Sequence, residues 1–176
     1  MTASSTDRPA APGGEPLRGR DLALLLVAAA ALQAIAWATL LALFSAGLMG
    51  YGLHDLADTL LYHFYAASFA LGRRPYADLA VEYPPLANLV FLLAPSGGSV
   101  AEYERWFSAA MMAATTAAAV LTTAAAAAAW RSAGRALAVA VAYAGLTLCA
   151  GALPLNRYDA VVALTLAAAL LWLAVR

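Results

Sequence analysis

The segment HDLADTLLYHFYAASFALGRRPYADLAVEYPPLAN, residues 54–88, organises this chain. It holds both histidines and four of the ten acidic residues, whereas 64% of the 176 residues are hydrophobic and only 11% are charged. Soluble globular domains carry about 25% charged residues, so the rest of the chain is too apolar to cover a water-facing surface. Apolar runs of about 20 residues, enough to cross a bilayer, flank the segment. The sequence therefore predicts a polytopic membrane protein whose polar chemistry is concentrated in one loop.

Composition also narrows the classes of partner and cofactor. No nucleic-acid partner is expected, although the formal net charge of zero carries no information on this point, and lysine is absent. The single cysteine, Cys149, lies in an apolar run and can form neither an intrachain disulfide nor a metal cluster, so we expect it to be a buried small hydrophobic residue. His54 and His63 lack the spacing of a metal site. No metal and no cofactor are therefore expected.

Four apolar runs predict the membrane helices of an all-α bundle. The first run is nearly twice as long as the core of a secretory signal, which has about 7–15 apolar residues, and it is therefore expected to stay in the membrane. Residues 1–20, rich in Pro, Gly, Ser and Ala, read as a disordered tail, and 21–176 as one membrane domain. The predicted spans are Leu22–Leu48, Trp106–Trp130, Ala136–Leu153 and the rather short Ala160–Val175.

The first loop, residues 50–105, is expected to carry two further helices. Residues His54–Leu71 read as an interfacial helix, because an acidic and aromatic face recurs at spacings of three and four. Residues 84–94 begin with two prolines and contain about nine apolar residues, roughly 14 Å of helix, which is half a bilayer. This helix is therefore predicted to be half-embedded. The residues of the recurring face are Asp55, Asp58, Tyr62, Tyr65 and Phe69.

Charge distribution gives the predicted orientation. Arg18 and Arg20 precede the first span, which places the N-terminus in the cytoplasm by the positive-inside rule. With 84–94 half-embedded, Arg131 and Arg135 are also inside, and Asp159 is outside with the acidic residues of the first loop. If 84–94 crossed the membrane, these assignments would be reversed. The sequence thus predicts a multi-pass protein of the cell membrane in which Asp58, Arg157 and Asp159 share the outer face.

The polar residues of the outer loop have a consistent chemistry. A carboxylate can remove a proton from a hydroxyl nucleophile. Arginine binds phosphate oxygens in a bidentate fashion, and tyrosine supplies flat faces and hydroxyl groups. These residue types fit phosphate-linked sugar chemistry at a membrane surface, although the same residues also suit a merely solvated loop.

Several motifs in this order resemble a known family. The pattern D-x-x-x-Y-x-x-Y-A (58–66) is followed by GRRPYAD (72–78), VEYPP (81–85) and NRYD (156–159). This order resembles the N-terminal part of the C-type membrane glycosyltransferases that use polyprenyl-phosphate sugars. Glycosyltransferase family 87, the polyprenyl-phosphomannose-dependent α-mannosyltransferases, is the most similar group. The resemblance covers roughly residues 20–176.

The resemblance implies both a reaction and a set of site residues. The catalytic base by motif position is Asp58, with its neighbour Asp55 as the alternative. The base would take a proton from a lipid or glycan acceptor, whose oxygen displaces polyprenyl phosphate from the sugar with inversion. Membrane lipids are further partners. The implied substrate-binding residues, with arginines at the departing phosphate, are Arg73, Arg74, Tyr76, Asp78, Glu82, Tyr83, Arg157 and Asp159.

Length separates this chain from the family it resembles. Such enzymes are expected to carry many more membrane helices, so we expect the chain to be the N-terminal portion of a larger fold, either active or an inactive fragment. A non-catalytic membrane subunit or assembly protein is the alternative. A transporter is disfavoured, because the predicted spans carry no acid or base near their middle and no internal repeat.

Overall fold

The computed structural model describes residues 17–55 and 57–176. Their regular structure is helical, apart from an isolated β-bridge between Pro75 and Leu79. The tail predicted for residues 1–20 lies mostly outside the described residues. The helices are α1 (Gly19–Ser45), α2 (Thr59–Ala70), α3 (Ala87–Phe91), α4 (Val100–Trp130), α5 (Ala133–Ala150), α6 (Leu153–Asn156) and α7 (Asp159–Val175).

Three helices, α1, α4 and α5, are long and apolar enough to cross a bilayer. They contain 27, 31 and 18 residues. The fourth predicted span corresponds to α7, which has 17 residues and is equally apolar in character but shorter. The all-helical membrane architecture expected from the sequence is therefore present with three candidate spans, and the crossing of α7 stays a prediction.

Side-chain caps explain two helix boundaries that hydropathy alone placed elsewhere. Helix α4 starts at Val100, six residues before Trp106, because Ser99 Oγ accepts a hydrogen bond from the Glu102 amide at 3.2 Å. Helix α5 starts at Ala133 because Ser132 Oγ accepts from the Arg135 amide at 3.4 Å. The first residues of α4 precede the apolar run and include charged side chains. A hydropathy criterion therefore does not detect that they are helical.

Both helices predicted in the outer loop are shorter than expected. Helix α2 begins at Thr59, so Asp55 and Asp58 precede it, and the prediction that both share its face was wrong. The physical reason is that Asp55 closes a turn, accepting a hydrogen bond from the Gly52 amide at 2.6 Å. Helix α3 has only five residues, about 7.5 Å, and cannot cross a bilayer.

Helix α4 forms the centre of the bundle and packs against α1, α5 and α7. At one end, Leu25 packs with Ala126, Ala127 and Ala136, so the start of α1 meets the α4–α5 turn. We name this the arginine end, after Arg18, Arg20, Arg131 and Arg135. At the opposite end, Trp37 and Leu40 pack with Leu155. We name that the loop end, because the first loop and the start of α7 meet there.

Apolar burial contributes little to the association of helices in lipid, and hydrogen bonds also connect the candidate spans of this chain. The buried Gln33 of α1 donates from Nε2 to Thr147 Oγ1 of α5 at 3.0 Å. Trp37 donates from Nε1 to Thr116 Oγ1 of α4 at 3.3 Å. Cys149, in contrast, is exposed on the surface of α5 rather than buried as expected, because the buried face of this helix is formed by smaller alanines.

Candidate active site

The centre of the candidate site is an ion pair between Asp58 and Arg157. An Arg157 guanidinium nitrogen lies 2.7 Å from Asp58 Oδ2, joining residues that are 99 positions apart in the chain. The side chains keep 28% (Asp58) and 39% (Arg157) of their surface exposed, so the pair is shielded yet reachable from the loop end. The structure thus brings together the acid and the arginine that the sequence placed on one face.

Local structure places Asp58 at the N-terminus of α2 without using it as a cap. Asp58 is the residue before the first helical position, but its carboxylate forms no capping hydrogen bond with the helix. Aspartate at this position normally accepts a hydrogen bond from an amide of the first turn. Here its Oδ2 atom is turned to Arg157 and two tyrosines instead. The interactions of Asp58 are therefore tertiary rather than local.

Arg157 is held by the single helical turn α6. Pro154 lies in its first turn, and Asn156 at its end is fully buried and donates from Nδ2 to the Leu53 carbonyl. The next residue, Arg157, is extended, which ends the turn before α7 begins. Its Nε atom is buried and has no hydrogen-bond partner in the described chain, so the guanidinium keeps an unused donor beside its bond to Asp58.

Two tyrosine hydroxyls support the same carboxylate oxygen. Tyr62 and Tyr83 donate to Asp58 Oδ2 at 3.4 and 3.3 Å. Burial raises the pKa of both phenols above the ordinary tyrosine value, which keeps them protonated as donors. Tyr62 stacks on Phe91 with ring centroids 4.4 Å apart, and Tyr83 meets Tyr158 edge to face at 5.5 Å. These aromatic contacts fix the donors relative to Asp58.

The sequence reasoning gave no role to Glu104 and His63, which both lie close to this site. Thr59, the neighbour of Asp58, donates from Oγ1 to Glu104 Oε1 at 2.9 Å and so joins α2 to α4. His63 lines a surface cleft together with Asp58, and its buried Nε2 has no partner in the described chain. No periodicity in the sequence indicates the Thr59–Glu104 contact, since it joins separate elements.

The GRRPYAD loop forms a separate polar unit. Arg74 Nε lies 2.9 Å from Asp78 Oδ2, and this arginine holds the pKa of the Asp78 carboxyl below its usual range. Arg73 and Glu82 are exposed. In the described chain, none of these four residues hydrogen bonds or ion pairs with Asp58 or Arg157. They are therefore brought to the loop end, but not into direct contact with the central pair.

Tyr76 connects this loop to the central pair. Its backbone is left-handed, with φ of 65°, a conformation uncommon for a bulky residue. The Tyr76 hydroxyl donates to the Tyr83 carbonyl and accepts from Asn88 Nδ2 at 3.1 Å. Tyr83 in turn reaches Asp58, so Tyr76 acts on the carboxylate through Tyr83. Within the part of the chain that the structure describes, Tyr76 and Tyr83 are thus connected to Asp58, whereas Arg73 and Arg74 are not.

Two concave surfaces meet at the Asp58–Arg157 pair. A groove of about 560 Å³ lies between α5 and α7, with Arg157 and Asp159 at its loop end. A cleft of about 660 Å³ follows α2 and includes Asp58. Asp159 is exposed at the first position of α7. Asp55 is not among the residues that line either surface, so of the two candidate acids only Asp58 lies at both the ion pair and the cleft.

The described residues contain no cluster of three or more His, Cys, Asp or Glu side chains that could hold a metal ion. In comparisons with protein-family models, with curated proteins and with solved structures, no match to the chain was found. The resemblance to glycosyltransferase family 87 therefore depends on its motifs alone.

Proposed function

We propose that this chain is a membrane glycosyltransferase, or its N-terminal portion, that transfers mannose from a polyprenyl-phosphate donor to a lipid or glycan acceptor on the outer face of the cell membrane. The observation that supports this proposal is the contact between Asp58 and Arg157, which places a carboxylate and a guanidinium where two open concave surfaces meet. These are the two groups that proton removal from a hydroxyl and stabilisation of a phosphate require.

The proposed reaction is a single displacement. Asp58 accepts the proton of the acceptor hydroxyl, whose oxygen forms a bond to the anomeric carbon while the bond from that carbon to the phosphate oxygen breaks. Polyprenyl phosphate leaves with the electron pair, and Arg157 binds the phosphate. Arg157 is bonded to Asp58 in the structure and keeps an Nε donor that is free in the described chain, so phosphate binding to the guanidinium weakens the bond to Asp58 and frees the carboxylate to act as a base.

The test compares Asp58→Asn with the unchanged chain in proteoliposomes. The assay measures transfer of radiolabelled mannose from polyprenyl phosphomannose to a panel of alkyl mannosides and membrane lipids. We expect the substitution to reduce transfer by at least about 100-fold, the contribution typical of a general base. Glu102→Gln is the matched control, because Glu102 is an acid of the same loop, in the first turn of α4, that lies outside the implied site. Absence of transfer by the unchanged chain, or equal transfer by Asp58→Asn, contradicts the proposal.

One observation favours the alternative of a non-catalytic membrane subunit. Asp58 already has an ionic partner and two tyrosine donors, which is also what a purely structural contact between α2 and α7 would show. Under this alternative, Asp58→Asn lowers stability, and the inserted protein co-purifies with a stable partner. Loss of transfer without loss of the folded protein distinguishes catalysis from this structural role.

A further inference from the structure

The groove between α5 and α7 has the form of a lipid-binding site rather than of a packing defect. Both helices pack against α4 but make at most marginal contact with each other, so α4 forms the floor of the groove. Its walls are mainly apolar, and Leu146 at the rim is 69% exposed. Since α4 and α5 are candidate membrane spans, this groove opens sideways toward hydrocarbon.

A buried hydroxyl on the floor indicates that the occupant is not hydrocarbon alone. Thr115 of α4 lines the groove, is only 5% exposed, and its Oγ1 atom has no hydrogen-bond partner in the described chain. Three other threonines of α4, Thr116, Thr122 and Thr123, donate to a carbonyl four residues earlier, at 2.8 Å. Leaving a buried hydroxyl unpaired costs about 1–3 kcal/mol. Thr115 is therefore available to a polar atom in the groove.

The loop end of the groove carries two opposite charges. Arg157 has a buried, unpaired Nε donor, and Asp159, two residues later, is exposed and forms no ion pair within the described chain. A ligand with both an anionic and a cationic group satisfies this pair, because a phosphate suits Arg157 and an ammonium suits Asp159. An anionic head group alone would leave the Asp159 carboxylate facing a like charge.

We propose that this groove binds a diacyl glycerophospholipid with an ethanolamine head group. Its phosphate lies at Arg157, its ammonium at Asp159, and an acyl-ester oxygen accepts a hydrogen bond from Thr115. A polyprenyl chain offers only hydrocarbon below its phosphate and leaves Thr115 unpaired.

This site shares Arg157 with the proposed sugar transfer, but its ligand is a different lipid and its test needs no catalysis. Native mass spectrometry of the purified full chain measures its binding to phosphatidylethanolamine, phosphatidylglycerol and undecaprenyl phosphate. We expect phosphatidylethanolamine to bind one to one and more tightly than the other two. Thr115→Val is expected to weaken this binding by about two- to tenfold, the loss of one hydrogen bond. Asp159→Asn is expected to reduce the preference over phosphatidylglycerol by about two- to fivefold.

Matched controls separate binding in the groove from general effects on the protein. Thr122→Val removes a threonine hydroxyl that bonds to its own helix, and Glu102→Gln removes an acid outside the groove; both should bind phosphatidylethanolamine as the unchanged chain does. Tighter binding of undecaprenyl phosphate than of phosphatidylethanolamine, equal binding of all three lipids, no binding, or an undiminished affinity in Thr115→Val overturns the proposal.

Discussion

At the scale of single residues, the contact between Asp58 and Arg157 is expected to contribute to stability as well as to chemistry. The pair joins the start of α2 to the residue just before α7, and it is partly shielded from water. Asp58→Asn, Arg157→Gln and the double variant form a thermodynamic cycle, measured by unfolding in mixed micelles. We expect a coupling energy of about 1 kcal/mol, between that of an exposed pair and that of a buried one.

The chain provides an exposed ion pair as the control for this cycle. Arg74 and Asp78 lie 2.9 Å apart, but 75% of the arginine side chain is accessible to solvent. Arg74→Gln with Asp78→Asn should show no measurable coupling, because water screens an exposed pair. Equal coupling in both cycles would show that shielding does not strengthen the Asp58–Arg157 contact, and it would remove the structural argument for this pair as the centre of the site.

The sequence predicted part of this arrangement for a physical reason. If the arginine end lies on one side of the bilayer, the order of the spans puts Asp58, Arg157 and Asp159 on the other side. Their common location was therefore predicted from charge. The partner of Arg157 did not follow from the sequence: the structure pairs it with Asp58, which lies 99 positions earlier in the chain. Contacts such as Thr59–Glu104 depend on tertiary packing, which no periodicity encodes.

At the scale of helices, the hydrogen bond between Gln33 and Thr147 is expected to hold α1 against α5. Gln33 is fully buried and donates from Nε2 to Thr147 Oγ1 at 3.0 Å, while the threonine hydroxyl donates to the Tyr143 carbonyl of its own helix at 3.1 Å. Gln33→Leu is expected to lower the free energy of unfolding in micelles by about 0.6 kcal/mol, the average measured for hydrogen bonds between membrane helices, and by no more than about 1.7 kcal/mol.

A threonine without an interhelical contact is the control for this effect. Thr165 of α7 is exposed and donates at 2.7 Å to the carbonyl of Val162 within its own helix. Thr165→Val should leave the unfolding free energy unchanged, whereas Thr147→Val should act in the same direction as Gln33→Leu. An effect of Thr165→Val as large as that of Thr147→Val would mean that the loss of any hydroxyl, and not the contact between α1 and α5, determines the result.

Helix existence was easier to predict than helix ends. Apolar runs located α1, α4, α5 and α7, because the hydrocarbon core requires long apolar segments. The beginning of α4 was missed by six residues, although Ser99 followed by Glu102 is the spacing of a capping box and would have located it. The start of α2 was missed because Asp55 forms a turn with Gly52, a local contact that competes with the helix.

At the scale of the whole molecule, the two ends of the bundle differ in charge. The arginine end carries Arg18, Arg20, Arg131 and Arg135, whereas the loop end combines Arg73, Arg74, Arg105 and Arg157 with most acidic residues of the described chain. Helix α3 is too short to cross, so α1 and α5 run toward the loop end, and α4 and α7 run away from it. The positive-inside rule then predicts that the arginine end is cytoplasmic.

Cysteine labelling in intact cells tests this orientation. In a Cys149→Ser background, Glu82→Cys, Ser96→Cys and Asp159→Cys are expected to react with a membrane-impermeant maleimide, because each lies at the loop end. Ser132→Cys and Arg176→Cys are expected to react only after permeabilisation. Reaction of Arg176→Cys from outside would mean that the 17-residue α7 does not cross. Labelling of Glu82→Cys and Asp159→Cys from opposite sides would separate the first loop from the start of α7, which is incompatible with the ion pair between Asp58 and Arg157.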